Sequence, residues 1–469
     1  MAVYIHSVGV GVPSRRLAVA DINSAWNRTG GRGTVAVCAD DEDALTLAWS
    51  AANSAMQAAE IEPGSVDGLW WGVTRAPFAE GPSHSILAAS LSLRPTAAGA
   101  LTSGSTHCGI DALFAAADAV AAGTARIAVV VVSDALRAGL GTASETRCGA
   151  AAAAFILRSD EGPAALGART THSQPLLDRY RGDTENDTRD LYDGRLFREE
   201  IFVPIVSEVA GRLATSKPTA WSLPDPDGRL AAAVAKNASV PPDSITSSNV
   251  FATLGDTGAA ACLLGSVGAF TRVGNVAVVA YGGGRASGIT IDVNRAIPGA
   301  ETAARDLQSD NASSSYADVL RFRRQLTPTG ETIAMGVPPE AALFTRGANE
   351  MLQLLGGRCD DCGTINTPPS IHPHCIACGG PKMEPVELAR TGIVHTFVIN
   401  YTMPAPFVAP LPIAVIDLDD GSRVMLQVAD DGSNVEIGAR MQLLLRRYAY
   451  ERGAPVYGFK AVPVRKESL

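Results

Sequence analysis

No stretch of about eighteen residues stays apolar without a charged or polar break, so no run reads as a membrane-crossing helix. A basic n-region is also missing where the first strand-like residues begin. The expectation is a chain that carries no signal and does not enter a membrane. Cations are few: 39 Lys and Arg stand against 48 Asp and Glu, for a net charge of -9. A phosphate-binding groove needs a concentration of Lys and Arg that is lacking here, so nucleic acid is not an expected partner. The basic run Arg321 to Arg324 reads as one helix face. A disulfide framework is absent as well. Of the eight cysteines, Cys38, Cys108, Cys148 and Cys262 are scattered through apolar or alanine-rich surroundings. Such usage belongs to a reducing compartment, hence an expected cytoplasmic location.

The other four cysteines are not scattered. Arg358-Cys359-Asp360-Asp361-Cys362-Gly363 is followed twelve residues later by Cys375-Ile376-Ala377-Cys378-Gly379. Two Cys-x-x-Cys-Gly knuckles, each ending in a glycine turn, can aim four thiolates at the corners of a tetrahedron, the geometry of structural zinc. The bland alternative is ordinary thiols or two disulfides. Glycine after each pair favours the metal. Four thiolates leave no open position for water, so zinc here holds a fold together and the chemistry must lie elsewhere. His372 and His374 flank the knuckles and read as loop residues rather than ligands.

With 469 residues, 46% of them hydrophobic and 19% charged, the chain can build two or three domains with sizeable cores. Up to about Val293, apolar strands such as Ile127 to Val132 and Val276 to Ala280 alternate with small-residue helices such as Asp111 to Ala122 and Gly258 to Gly265. This is an α/β layout. Ala112, Ala115, Ala116, Ala117 and Ala119 leave the first helix almost no polar face, which predicts burial on all sides between two sheets. The order GSTHCGIDALFAAADAV then ARIAVVVVSDA is echoed by ATLGDTGAAACLLGSVGAF then VGNVAVVAYGG, as expected of an internal duplication. We expect a domain over residues 1–293, then a polar linker and first helix over 294–333, with a helix at Tyr316 to Leu326. A helix (Pro339 to Leu355) and the zinc ribbon follow over 334–386. Over 387–469, several short strand patterns with an Asp420-Gly421 hairpin turn predict a small barrel of the OB-fold type.

The second part resembles the rubredoxin-type zinc ribbon plus OB-fold family that accompanies thiolase-like enzymes acting on acyl-CoA. The four cysteines, Gly392, the strand PAPFVAPLPIAVIDLDDGSRV and the Ile437-Gly438 turn carry that likeness. The first part resembles the hydroxymethylglutaryl-CoA synthase and 3-oxoacyl-carrier-protein synthase III branch of the thiolase superfamily, in VGVGVPSRRLAVADI, ADDEDALTLAWSAANSA, DRYRGD, YDGRLF and VAYGGGRASGI. The resemblance implies a duplicated five-layer αβαβα fold, a homodimer and a CoA thioester substrate. It also leaves room for a second thiolase-like protein or an acyl carrier as partner.

Four positions depart from that branch. Its cysteine nucleophile heads the buried helix six residues before an Ala-Leu pair, and Ala112-Leu113 puts Thr106 there. Its histidine aligns with Ser222 of WSLPDPDGRL, its asparagine with Asp256 of LGDTGAA, and the synthase glutamate with Thr74 of GVTRAPF. Cys108 is either a relocated nucleophile favoured by the helix dipole or a buried structural thiol. His107 is an acid/base or a capping side chain. Asp256 is a proton acceptor or an N-cap for Gly258 or Ala259. Gly283 and Gly284 let main-chain N–H groups approach an oxyanion, or simply make a tight turn. By resemblance, Tyr180 and Arg181, with Asp178, lie near the pantetheine entrance.

Taken together these residues predict an enzyme, an acyltransferase or carbon–carbon lyase of the thiolase superfamily. Loss of the thiol favours aldol or retro-aldol chemistry, which needs a base and an oxyanion hole but no acyl-enzyme. Two alternatives stay open: condensation or acyl transfer through Cys108, and a non-catalytic acyl-CoA-binding scaffold for a partner condensing enzyme.

Overall fold

The alternating apolar runs become nine strands of one mixed sheet in the computed structural model, which describes residues 1–190, 194–309, 311–326, 347–404, 407–429, 435–451 and 453–464. These are β1 (Tyr4–Gly11), β2 (Gly68–Gly72), β3 (Ala98–Thr102), β4 (Ile127–Ala135), β5 (Ala150–Arg158), β6 (Ala164–Ser173), β7 (Ala220–Ser222), β8 (Gly274–Gly282) and β9 (Arg285–Val293). Their order is β7-β8-β9-β6-β1-β5-β4-β2-β3. Two halves meet where Tyr4 and Ile5 of β1 pair with Ala165 and Ala164 of β6.

The halves repeat one plan. In the first, β4 runs parallel to β2 and antiparallel to β5; in the second, β8 runs parallel to β7 and antiparallel to β9. Helix α1 (Cys108–Ala121) precedes β4, and a 3-10 turn at Gly258–Ala260 running into helix α2 (Ala261–Ser266) precedes β8. The sequence echo is thus a structural duplication, and the two helices lie between the half-sheets. They touch at Gly109, where an added Cβ would stand 2.1 Å from the Ala259 carbonyl oxygen. Only glycine permits that approach. The core between the layers includes Val130, Val132, Phe155, Leu263 and Phe270, and Phe155 meets Phe270 edge to face at 6.2 Å. Each such large side chain contributes about 1.5–3 kcal/mol on full burial.

Helix α1 departs from the expected burial on every side. Ala112, Leu113, Ala116, Ala117 and Val120 are enclosed, but Asp118 is exposed and pairs with Arg169 at 2.6 Å, while that guanidinium lies 4.6 Å above the Phe114 ring. One polar edge therefore remains, because Asp111 and Asp118 recur at helical spacing among the alanines.

Contacts divide the chain into two units, Met1–Cys38, Asp43–Ala88 and Leu93–Arg323 against Ala39–Glu42, Ala89–Ser92 and Arg324–Leu469. The helix expected at Tyr316 is Tyr316–Phe322, and its Val319 packs with Leu17, Ile22, Val35 and Val37 in the first unit. The division falls after it because one buried valine ties it to that core. Of the helix expected from Pro339, the part before Gly347 lies outside the described residues, and Ala348–Gln353 is helical.

In the second unit, strands Leu355–Cys359, Ile365–Asn366 and Met383–Glu387 form the ribbon sheet. Five more strands follow: β10 (Thr391–Asn400), β11 (Leu411–Leu418), β12 (Arg423–Gln427), β13 (Arg440–Glu451) and β14 (Ala454–Pro463), ordered β12-β11-β10-β13-β14. A bridge between Val428 and Ala461 brings the sheet's two edges together, giving a nearly closed OB-fold barrel. Ala414, Ile416, Met441, Leu443 and Leu445 fill it. At the expected hairpin Gly421 takes φ 82°, and Asp420 accepts the Ser422 N–H at 2.9 Å.

Candidate functional site

The first unit holds a cavity of about 1100 Å³ where β4 and β8 end and the two buried helices begin. Carboxyl ends of strands facing helix starts leave main-chain N–H groups and side chains converging on one space, a usual location for ligands in α/β proteins. Ser103 to Thr106, Gly258, Cys262, Gly282 and Gly283 form the part nearest the helices.

Thr106, two residues before α1, donates its hydroxyl to the Tyr281 carbonyl at 2.6 Å. Strand β8 can come this close because its last residue is Gly282, where a Cβ would lie 2.5 Å from that hydroxyl. The next two residues face elsewhere. His107 is 1% exposed and outside the cavity wall; its Nδ1 lies 2.8 Å from Asp111 and its Nε2 2.9 Å from the Ser287 hydroxyl, itself 2.8 Å from Thr171. It caps no helix amide. Cys108 is buried and also outside the wall, and burial, with Asp134 and Asp111, pushes its thiol far up. Ser222 is fully enclosed and donates to the Cys262 carbonyl at 2.5 Å. Cys262 does line the cavity, with a thiol that burial pushes up to about 12.

Asp256 lines the cavity with both carboxylate oxygens engaged. Oδ1 accepts the Gly258 N–H at 3.0 Å, the expected cap, and Oδ2 accepts from Arg179 at 2.9 Å. Arg179 reaches on to Asp190 at 3.2 Å. Burial alone would lower the guanidinium's pKa, but Asp256 and Asp190 raise it further. Asp190 is held low by Arg179 and by a hydrogen bond from Ser144, against the opposite pull of its own desolvation. Tyr180 and Arg181 also line the wall, and Tyr180 pairs with Arg189 in a two-stranded ribbon. Gly283 and Gly284, at φ 59° and 71°, make the two-residue turn between β8 and β9, and Gly283 faces the cavity.

Asp134, at the end of β4, escaped sequence reasoning. It is fully enclosed and accepts the Ala259 N–H at 2.7 Å, the Thr74 N–H at 3.0 Å and the Thr74 hydroxyl at 2.7 Å. It thereby fixes Thr74 to the start of the second buried helix. The only signal was one acid closing the run VVVVSDA. Burial pushes its carboxyl up to about 7, against those hydrogen bonds, and Asp256 adds to the rise. The folded chain thus keeps a proton that the unfolded chain releases near 3.8, so stability falls as pH rises between about 4 and 7. Asp134→Asn is expected to flatten that fall in urea midpoints across the window; an unaltered slope would count against this assignment.

In the second unit the four cysteine sulfurs lie within 4.8 Å of one another, with Cys359–Cys378 and Cys362–Cys375 each at 3.6 Å. Zinc–sulfur bonds of about 2.3 Å at tetrahedral angles place sulfurs roughly 3.8 Å apart, whereas a disulfide needs about 2.05 Å. The set therefore fits zinc. Gly363 and Gly379 take φ 75° and 76°, and each returns its N–H at 2.9 Å to the first cysteine of its knuckle, Cys359 or Cys375. Buried Asn366 also went unnoticed in the sequence: it accepts the Ile376 N–H at 2.9 Å and donates to Gly357 at 3.2 Å, tying one knuckle to the sheet below the other. His372 and His374 are outside the cluster.

Residues 352–384 match the family described as ChsH2, rubredoxin-like zinc ribbon domain, and residues 385–446 match ChsH2, C-terminal OB-fold domain. A DUF35 domain-containing scaffold protein of Methanothermobacter thermautotrophicus is 33% identical over 116 residues, 24% of this chain and 86% of its own. A hydroxymethylglutaryl-CoA synthase of Methanosphaera stadtmanae is 24% identical over 333 residues, 67% of this chain and 96% of its own. Among solved structures, MvaS in complex with 3-hydroxy-3-methylglutaryl coenzyme A superposes with TM-score 0.58 at 20% identity, covering 71% of this chain and 94% of that one. That likeness establishes the thiolase-like fold. The chain belongs to the DUF35-domain family through its zinc ribbon and OB-fold, and carries before them a thiolase-like unit related in sequence to the hydroxymethylglutaryl-CoA synthases.

Proposed function

We propose that the first unit binds an acyl-CoA thioester in its cavity and makes or breaks the carbon–carbon bond beside the thioester carbonyl by aldol-type chemistry, with no acyl-enzyme. One observation carries this reading: the position two residues before α1, where the thiol is expected, holds Thr106, and its hydroxyl is given to the Tyr281 carbonyl. An acyl-enzyme needs an activated nucleophile at the cavity. Thr106 has no free base beside it among the described residues, since His107 is engaged by Asp111 and Ser287, and Cys108 is enclosed with its thiol pushed up. What remains suits enolate chemistry. The main chain at Gly283 can approach a thioester oxygen, and the Arg179 guanidinium lines the wall, paired with Asp256 and Asp190. Asp256, held by Gly258 and Arg179, positions that charge rather than taking a proton.

The test is on the thiols. Cys108→Ala is expected to retain turnover of a 3-hydroxyacyl-CoA within about threefold, and iodoacetamide to leave the wild type active; a relocated nucleophile would instead cost about a thousandfold or more. An acyl group found on Cys108 by mass spectrometry would establish condensation in its place. The relatives named as scaffold proteins favour a second reading, an acyl-CoA-binding scaffold for a partner condensing enzyme. Binding of acyl-CoA without turnover of any 3-hydroxyacyl-CoA would support it.

A further inference from the structure

Asp178 is a wall residue of the cavity, only 4% exposed, and its two oxygens differ. Oδ2 accepts the Tyr281 phenol proton at 2.7 Å. Oδ1 is buried with no hydrogen-bond partner among the described residues. A buried acceptor left unpaired costs free energy, and a charged one costs more, so such an atom beside a cavity points to a donor supplied by the ligand.

The surroundings say what kind of donor. Tyr281 gives its carbonyl to Thr106 and its phenol to Asp178, so the carboxylate is fixed relative to the head of α1. The Tyr281 ring cannot swing away, since Phe202 and Phe197 pack on it at 4.8 Å and 6.2 Å. Both phenylalanines also line the cavity. A carboxylate held by a tyrosine, in a cavity whose wall also carries two phenylalanine rings, suits a hydroxyl on an otherwise apolar chain.

We propose that Asp178 is the catalytic proton acceptor for the β-hydroxyl of a 3-hydroxyacyl thioester whose apolar chain lies against Phe197 and Phe202. The proposal rests on the aldol reading above. In the cleavage direction the hydroxyl proton passes to Asp178 Oδ1 and the O–H electron pair becomes the new C=O bond. The C2–C3 bond breaks, and its pair moves onto the thioester as an enolate. A proton returned from Asp178 to C2 gives the shortened acyl-CoA and a free carbonyl product, and restores the carboxylate. No oxidant or second substrate is needed. Tyr281 positions the carboxylate throughout.

Calorimetric titration of the full chain with 3-hydroxybutyryl-CoA and with butyryl-CoA tests this without requiring turnover. The wild type is expected to bind the hydroxylated thioester about tenfold more tightly, as one hydrogen bond to a charged acceptor allows. Asp178→Asn should reduce that preference to about twofold or less while butyryl-CoA binds as before, which also shows that the variant is folded. Where cleavage is measured, the same variant should lower kcat at least a hundredfold. Equal binding of the two thioesters by the wild type, or a preference unchanged in Asp178→Asn, overturns the assignment of Asp178 alone. Failure of both thioesters to bind overturns the acyl-CoA reading and this assignment with it.

Discussion

Cys375→Ser is expected to release one zinc per chain and unfold the ribbon of residues 355–387, while the first unit keeps its fold. The residues buried in that ribbon are Gly356, Gly357, Cys359, Asn366, Cys375 and Gly380. No large apolar side chain is among them, so hydrophobic burial cannot hold these strands together. Metal coordination must supply the stability, and structural zinc in comparable small domains provides about 10–16 kcal/mol at neutral pH. Three thiolates cannot close a tetrahedral site. The first unit has its own extensive apolar core and should be indifferent. Metal analysis with limited proteolysis checks both halves of the expectation. Absence of zinc from protein purified without chelator, or a ribbon that resists protease after its removal, would refute it.

Arg179→Met should destabilise the first unit by about 3–5 kcal/mol, because it strands a buried carboxylate. The Asp256 side chain is 6% exposed and Arg179 is its charged partner at 2.9 Å. Pairing Arg179→Met with Asp256→Asn removes both charges, so the double variant should lose clearly less than the sum of the singles in urea unfolding. Arg179→Lys should rescue little, since a lone ammonium cannot span Asp256 and Asp190 as the planar guanidinium does. A loss below about 1 kcal/mol in Arg179→Met would show that the pair is solvated and holds nothing in place.

The local signals were legible. Two knuckles with their glycines announce a tetrahedral thiolate set because the ligands lie within a few residues of each other and the turn geometry is intrinsic to glycine. The repeated order of helix and strand announced two similar halves for the same reason, as did Asp420-Gly421 its hairpin. Helix Tyr316–Phe322 was harder to allot: its pattern shows a helix, but only the contact of Val319 with Leu17 and Val35 decides which core it joins.

What the sequence by itself determined is therefore the chemistry available and the folding plan: four clustered thiols, a duplicated α/β unit, a small barrel, and threonine rather than cysteine at position 106. Only the tertiary structure decided which side chains meet. Thr106, His107 and Cys108 are neighbours in sequence, yet successive residues entering a helix point about 100° apart, so one faces the cavity and the other two are buried behind it. Asp134 finds Ala259 across 125 residues and Tyr281 finds Asp178 across 103. Charge, burial and hydrogen bonding at such separations depend on how strands and helices stack, and no local pattern encodes that.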